Sequence, residues 1–220
     1  DARIITDFAL ANPPRKFEPR SKSQNELRGL TKLLSTLKSH LVQLKNKLDS
    51  MQGDIAKKYL IESIAELEQK ISDLEKELDK VVKNDSEMNE QFKLITSIPG
   101  IGSIISYSIL ERIPDIKLFT HAKQFAAFIG VSPKQNQSGK WAGKTTISKI
   151  GDRRLRAVLY MGALVAKRHN PALKNFTQAL ASRGKSPKAI VCAVMRKLAH
   201  FIFAVLNNKR AFDVNFGKES

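Results

Sequence analysis

A polar loop between residues 130 and 151 holds the side chains best suited to chemistry on a phosphate. Ser138 precedes a glycine in this loop, and six cations lie within seventeen positions of the loop and the helix start that follows it: Lys140, Lys144, Lys149, Arg153, Arg154 and Arg156. Phosphoryl transfer needs an oxygen nucleophile and positive charge that stabilises the charge developing on the phosphate. The loop supplies both, although most serines in polar loops have no catalytic role. The pattern therefore predicts nucleic-acid contacts for the cations and leaves two interpretations of Ser138 open, a nucleophile or an ordinary loop serine.

A second candidate phosphate site is the segment IPGIG at 98–102, which stands between two apolar stretches. Residues 95–112 are typical of a helix-hairpin-helix motif. Gly100 and Gly102 would let the backbone approach a phosphate closely, and N–H groups at the start of the second helix would donate to it. Such a motif binds the backbone of duplex DNA without reading its sequence. The alternative is an ordinary tight turn between two helices, with Gly102 at the helix cap.

The sequence has no recognisable pattern for several other kinds of site. The single Cys192 excludes an internal disulfide framework and a multi-cysteine zinc site. No Ser/His/Asp arrangement and no nucleotide-binding phosphate loop is recognisable. The spacing of a metal site is also missing from the four histidines, which are His40, His121, His169 and His200.

The charge of the chain is concentrated in its second part. Residues 1–90 hold 16 basic and 16 acidic residues, whereas residues 91–220 hold 22 basic and 5 acidic residues and so carry the whole net charge of +17. Self-repulsion of this size destabilises the fold unless a polyanion offsets it, and DNA or RNA is the natural partner. An anionic membrane surface and an inert basic surface are the alternatives. We find no signal peptide and no uninterrupted apolar run long enough to span a bilayer, so we expect no membrane partner and a cytoplasmic location.

Two leucine-rich seams precede the basic part. The spacings alternate between three and four residues, which is a heptad pattern. The first seam consists of Leu27, Leu30, Leu34, Leu37, Leu41, Leu44 and Leu48, and the second of Leu60, Ile64, Leu67, Ile71, Leu74, Leu78 and Val81. The short polar loop around Gly53 favours an antiparallel coiled-coil hairpin over 26–90, which could also pair with another subunit in a homo-oligomer. The alternative is a pair of ordinary bundle helices that pack on the basic domain.

Prolines divide the chain before the first seam, and residues 12–23 read as a linker. After the seams, helical periodicity recurs at roughly 88–97, 103–113, 121–129, 152–168, 172–182 and 187–207. The segment 130–148 lacks this periodicity, so we expect an irregular loop there with room for a short β-hairpin. The predicted fold is mainly α, with three parts: residues 1–25 as the remnant of an N-terminal domain and linker, the hairpin at 26–90, and a C-terminal domain at 91–220.

The segment from Ile95 to about Ala204 resembles the C-terminal domain of the Piv/MooV-type insertion-sequence transposases. The matching motifs, in the same order and spacing, are IPGIG (98–102), FTHAKQFAAFIGVSP (119–133), QSGK (137–140), TISKIGDRRLRAVLY (146–160) and the late helix around MRKLA (195–199). Members of this family resemble two-part enzymes, in which an RuvC-like domain with four metal-binding carboxylates precedes a coiled coil and a domain with an essential serine.

The resemblance implies a DNA transposase or recombinase that exchanges strands of duplex DNA through a covalent serine–DNA intermediate. It places the serine at Ser138, implies Mg²⁺ at the carboxylates, and implies a structured bridge RNA that guides the enzyme to its DNA. Asp1-Ala2-Arg3 is similar to the end of the RuvC-like domain, so the resemblance makes Asp1 its last metal ligand and the chain a fragment that is expected to be inactive alone. It also implies a prokaryotic, nucleoid-associated enzyme.

Two other functions compete with this interpretation. A non-catalytic helix-hairpin-helix module would bind nucleic acid and tolerate the loss of Ser138. A structural protein that dimerises through the hairpin would bind no nucleic acid at all. The enzyme is the leading hypothesis because the family motifs extend over more than half of the chain.

Overall fold

Helices form most of the computed structural model, which describes residues 1–12, 19–134, 137–138, 141–142 and 146–215 and gives no side-chain detail for 137–138 and 141–142. The predicted fold class, mainly α, is therefore confirmed. The helices are α1 (Ala2–Ala11), α2 (Lys22–Ser50), α3 (Asp54–Asn84), α4 (Ser86–Thr96), α5 (Ser103–Arg112), α6 (Ala122–Ile129), α7 (Arg153–His169), α8 (Pro171–Ser182) and α9 (Pro187–Asn208), with a short 3-10 helix at Ile116–Leu118.

Helices α2 and α3 form an antiparallel hairpin that turns at Gly53, where φ is +88°. Its first helix includes the last two residues of the predicted linker, because Ser21 and Gln24 cap it reciprocally through their side chains and backbone N–H groups. Two ion pairs join the helices, Lys38 to Glu75 at 2.7 Å and Lys45 to Glu68 at 2.6 Å. From the first pair to the second, the residue on α2 lies seven positions later and the residue on α3 seven positions earlier. The ion pairs therefore follow the heptad spacing on both helices.

The two seams are buried unevenly. On α2 only Leu27 and Leu34 are fully buried, and on α3 the buried seam residues are Ile64, Ile71 and Leu78. The other seam positions between residues 30 and 81 are half-buried. Near the turn, large apolar side chains are exposed: Val42, Ile55, Tyr59 and Ile61. The hairpin thus covers only part of its apolar surface within a single chain, and its description as a coiled coil that pairs with a second subunit stays a prediction.

Helix α9 is the centre of the basic part, and helices α4, α6, α7 and α8 all pack against it. It is the one described helix with the length and apolar composition to cross a membrane, although half of its most apolar window is buried inside the protein. Arg196 and Lys197 interrupt the apolar run of α9 without lowering its mean hydropathy below that of a spanning helix. The buried core continues from α9 into the base of the hairpin at Leu27, Leu34 and Leu78.

The segment between α6 and α7 contains two short antiparallel strand pairs, nested one inside the other. The outer pair joins β1 (Pro133–Lys134) to β4 (Thr146–Ile147), and the inner pair joins β2 (Gln137–Ser138) to β3 (Trp141–Ala142). We call this segment, residues 130–151, the ribbon. The expected short β-hairpin is thus present, and the predicted helices on either side of it end within about two residues of the observed bounds.

Candidate nucleic-acid interface

The end of the ribbon is fixed to the start of α7 through Asp152. Its carboxylate accepts hydrogen bonds from the backbone N–H groups of Arg154 and Leu155 at 2.8 and 2.9 Å, so it caps the helix. Its own N–H donates to the carbonyl of Phe128 at 2.7 Å. The guanidinium of Arg112, on α5, forms an ion pair with the same carboxylate. Asp152 therefore joins the ribbon, α5, α6 and α7 at one point.

The beginning of the ribbon is fixed to the same place. Gly130 ends α6 in the left-handed conformation, with φ of +81°. A Cβ at Gly130 would overlap the Arg156 guanidinium, and one at Gly151 would overlap the backbone of the α6 end. The N–H of Ser148 donates to the carbonyl of Ser132 at 2.8 Å and closes the ladder at the base. The two ends of the ribbon are packed too closely for any residue larger than glycine at these two positions.

Arg156 holds this base together. Its Nη1 atom donates to the carbonyl of Ile129 at 3.1 Å, at the C-terminal end of α6 where the helix dipole favours a cation. The side chain is half-buried. The Nη1 atom of Arg156 thus has a partner within the fold, and its predicted contact with nucleic acid stays a prediction.

Ser138 lies in the inner strand pair, opposite Trp141, at the end of the ribbon farthest along the chain from the fixed base. Its backbone position is described, but its side chain is not. Two of the predicted cations, Lys140 and Lys144, lie outside the described residues. The structure therefore places the backbone of the candidate serine on a β-ribbon and leaves its role as a nucleophile a prediction.

Three predicted cations, Lys149, Arg153 and Arg154, are exposed beside the ribbon base. Lys149 has a positive φ of +59°, and its N–H donates to the carbonyl of Gly130 at 3.3 Å. Arg153 and Arg154 stand in the first turn of α7, which contains no acidic residue. Cations at a helix N-terminus are repelled by the helix dipole. A bound anion such as a phosphate would remove this repulsion.

The turn between α4 and α5 uses its two glycines differently. Gly100 has a φ of +102°, and a Cβ there would lie 2.5 Å from the Cβ of Ala166 on α7. It serves close packing, whereas we had expected it to admit a phosphate. Gly102 is exposed at the N-cap of α5, with no atom within 4 Å of where its Cβ would stand and no side-chain cap among the described residues. The start of α5 is thus the part of the turn that a phosphate can reach.

Comparison with known proteins finds transposases and a gene-inverting protein that are similar to this chain. Residues 92–178 match the model of the Transposase IS116/IS110/IS902 family. The chain is 28% identical to the pilin gene-inverting protein of Moraxella bovis over 97% of the chain, and it spans 66% of that protein. It is 35% identical to the transposase for insertion sequence element IS1111A of Coxiella burnetii over 64% of the chain and 39% of that protein. The transposase for insertion sequence element IS1328 of Yersinia enterocolitica is 28% identical over 80% of the chain and 49% of its own length.

Residues 92–178 are thus similar to the IS116/IS110/IS902 transposase family. The matched residues begin in α4 and end in α8, so they contain the α4–α5 turn, the ribbon and all of α7. The elements described above are therefore the ones that the family shares with this chain by sequence.

The metal ion that the family resemblance implies does not fit the donors of this chain. Asp1 is exposed at the N-cap of α1. Among the residues that the structure describes, no group of three or more histidine, cysteine or carboxylate side chains is close enough to hold a metal ion. Asp1 alone does not provide the oxygen ligands that Mg²⁺ requires, so we derive no step that uses a metal.

Several residues that position the interface had no signal in the sequence. Arg112 meets Asp152 across 40 residues. Asn170, which is fully buried, donates to the carbonyl of Pro99 at 3.0 Å across 71 residues and also caps α8. The Ser97 hydroxyl oxygen accepts from the N–H of Phe212 at 2.8 Å. The first two bonds hold α5 and the α4–α5 turn against the two ends of α7, and the third joins the turn to the segment after α9.

Proposed function

We propose that this chain is the serine-bearing, nucleic-acid-binding part of a DNA transposase or recombinase. The observation that carries the proposal is the ribbon, which has a rigid base packed against the start of α7 and carries the serine of the family motif near its other end. Exposed cations stand beside that base, where a DNA phosphate would offset their repulsion. Similarity to this family supports the reaction class, because the relatives are named as transposases and as a gene-inverting protein.

The proposed chemical step is a transesterification at a DNA phosphodiester. Ser138 Oγ forms a bond to phosphorus while the bond from that phosphorus to one deoxyribose oxygen breaks. The serine proton passes to a base outside the described residues, and the released oxygen takes up a proton. One phosphoester bond replaces another, so the strand end stays activated for rejoining to a different strand. Arg153, Arg154 and Lys149 would stabilise the charge on phosphate oxygens.

The remaining parts of the proposal concern the longer protein. Mg²⁺, if used, would be held by carboxylates beyond this chain, with Asp1 as the member that the resemblance assigns here. A structured guide RNA would select the DNA, and the half-buried seam of the hairpin supports assembly as a homo-oligomer. The place of action would be the prokaryotic cytoplasm.

The decisive test compares Ser138→Ala with the unaltered full-length protein in the presence of guide RNA and DNA. We expect the variant to bind both nucleic acids normally but to give no covalent protein–DNA adduct on a denaturing gel and no recombinant product. Ser132→Ala and Ser148→Ala, in the same ribbon, are the matched controls and should retain the adduct. Recombination at the normal rate by Ser138→Ala would show that the chain is a binding module or uses another hydroxyl.

A further inference from the structure

A group of cations on α6 and α9 stands apart from the ribbon. It consists of Lys123 on α6 and of Arg196, Lys197 and His200 on α9, and we call it the α6–α9 cluster. Helix α6 packs against α9, on which Arg196, Lys197 and His200 lie within five consecutive positions, and the charges of the other three members act on the His200 imidazole. Lys123 and Lys197 are exposed, and Arg196 and His200 are half-buried. All three α9 members lie beyond the residues that match the family model.

No carboxylate offsets this charge. Residues 116–212 contain 19 lysines and arginines but only one acidic residue, Asp152. Asp152 is already committed to the cap of α7 and to Arg112. Within the described part of the chain, neither Lys123 nor Arg196 nor Lys197 forms an ion pair. Mutual repulsion among them costs free energy that an external polyanion would recover.

The contacts of Lys197 and His200 leave their charge without a carboxylate partner among the described residues. The Lys197 Nζ atom lies 5.3 Å from the centre of the Phe176 ring on α8, a cation–π contact that restrains the ammonium without using its N–H donors on a carboxylate. The Nε2 atom of His200 is buried and has no hydrogen-bond partner among the described residues, so His200 acts on a ligand through its charge.

We propose that the α6–α9 cluster binds the phosphodiester backbone of a nucleic-acid segment, as a second contact separate from the start of α7. The inference deepens the proposed function and rests on it for the class of ligand. The shared chemistry of duplex DNA and structured RNA is the row of phosphates, which cations bind by releasing condensed counterions. Three cations without an ion-pair partner among the described residues match that chemistry, whereas a small single anion would leave most of them unpaired.

His200 gives the contact a dependence on pH. Burial lowers the pKa of His200 below its ordinary value, and the charges of Arg196, Lys197 and Lys123 lower it further. The imidazole is therefore neutral at neutral pH in the free protein. Phosphates at the cluster neutralise the three cations and favour the protonated ring. Binding at the cluster takes up a proton, so it strengthens as the pH falls.

The test uses the whole chain and two probes, a duplex DNA of about two turns and an RNA hairpin of similar length. The variant Arg196→Gln with Lys197→Met is compared with Lys57→Met plus Lys58→Met, which removes the same charge from exposed positions near the hairpin turn. Removing two phosphate contacts should lower the slope of log affinity against log salt by about 2 on duplex DNA. The control should keep the slope of the unaltered chain. The probe with the larger loss identifies the source of the phosphates.

Two further variants test the proposal independently of the double variant on α9. Lys123→Glu reverses a charge on the exposed side of α6 and tests the cluster if the α9 variant unfolds. His200→Gln should lose the extra affinity that the unaltered chain gains between about pH 7.5 and about pH 6.

Unchanged salt slopes in folded cluster variants, or a loss confined to binding of anionic vesicles, would overturn the proposal. If Arg153→Met plus Arg154→Met weakens binding while the cluster variants do not, this inference fails and the proposed function stands; if neither has any effect, both fail.

Discussion

At the scale of single residues, Gly100 and Gly102 illustrate how identical residue types two positions apart come to have different roles. Gly100 faces the backbone of α7, where Ala166 leaves no space for a side chain. Its positive φ adds a second reason for glycine, because an L-residue is strained in that region. Gly102 has an ordinary φ of −100° and faces open space at the start of α5. The first glycine therefore supports stability, and the second leaves access for a ligand.

This difference predicts opposite results for two substitutions. Gly100→Ala should lower the free energy of unfolding by roughly 3 kcal/mol, because strain and overlap add. Gly102→Asp should retain or raise stability, since aspartate is a favourable N-cap, but should weaken DNA binding by placing a carboxylate where a phosphate would approach. Urea denaturation and fluorescence anisotropy with duplex DNA measure the two effects. Undiminished DNA affinity in Gly102→Asp would remove the start of α5 from the interface.

At the scale of elements, the hairpin has a buried base and a less buried outer part. Leu34 is buried in the core that continues into the basic domain, whereas Leu37 and Leu41 are only partly covered by the single chain. Leu34 therefore stabilises the fold, whereas Leu37 and Leu41 have apolar surface left for another copy of the hairpin. Aspartate at Leu37 and Leu41 should therefore weaken assembly as well as lower helicity.

Leu34→Ala should reduce the free energy of unfolding by about 2–5 kcal/mol, the usual cost of removing a buried leucine side chain. Leu37→Asp with Leu41→Asp should lower helicity measured by circular dichroism or reduce the mass measured by sedimentation equilibrium. Val42→Asp is the control on the same helix, because Val42 is 58% exposed and lies outside the seam. An unchanged melting temperature and an unchanged mass in solution for the double aspartate variant would contradict the prediction that this seam packs in a coiled coil.

At the scale of the whole molecule, a chain of charged contacts links the hairpin to the ribbon. Arg28 on α2 lies 3.7 Å from Glu111 on α5, the adjacent Arg112 also contacts Glu111, and Arg112 pairs with Asp152 at the ribbon base. The Arg28 side chain is 60% exposed, whereas the Asp152 side chain is 9% exposed. The inner pair therefore matters more for stability, because removing one partner of a buried pair leaves an uncompensated charge.

Arg112→Met should destabilise the protein by about 2 kcal/mol, less than for a fully buried pair because Arg112 keeps some contact with water. It should also speed hydrogen exchange at the amides of Ser148 and Lys149, which bond across the ribbon base to Ser132 and Gly130. Arg28→Met, which breaks only the exposed contact, is the control and should change both measurements little. Equal exchange rates in Arg112→Met and the unaltered chain would show that the ion pair does not hold the ribbon.

The sequence by itself determined the helices, the position of the ribbon and the location of the charge. Helical periodicity and caps depend on residues three or four positions apart, so α4 to α9 were predictable within about two residues of the observed bounds. The excess of lysine and arginine after residue 90 is a property of composition alone. The candidate serine was recognised from a family motif in a contiguous segment.

Only the tertiary structure decided which of the candidate residues are accessible and which hold the fold. Arg154 and Arg156 are two positions apart on α7, but one is exposed and the other bonds to the end of α6. Arg112 and Asn170 position the interface through partners 40 and 71 residues away. The α6–α9 cluster likewise joins Lys123 to residues more than seventy positions later. Such contacts depend on how helices pack, and the spacing of residues along one helix contains no information about its neighbour.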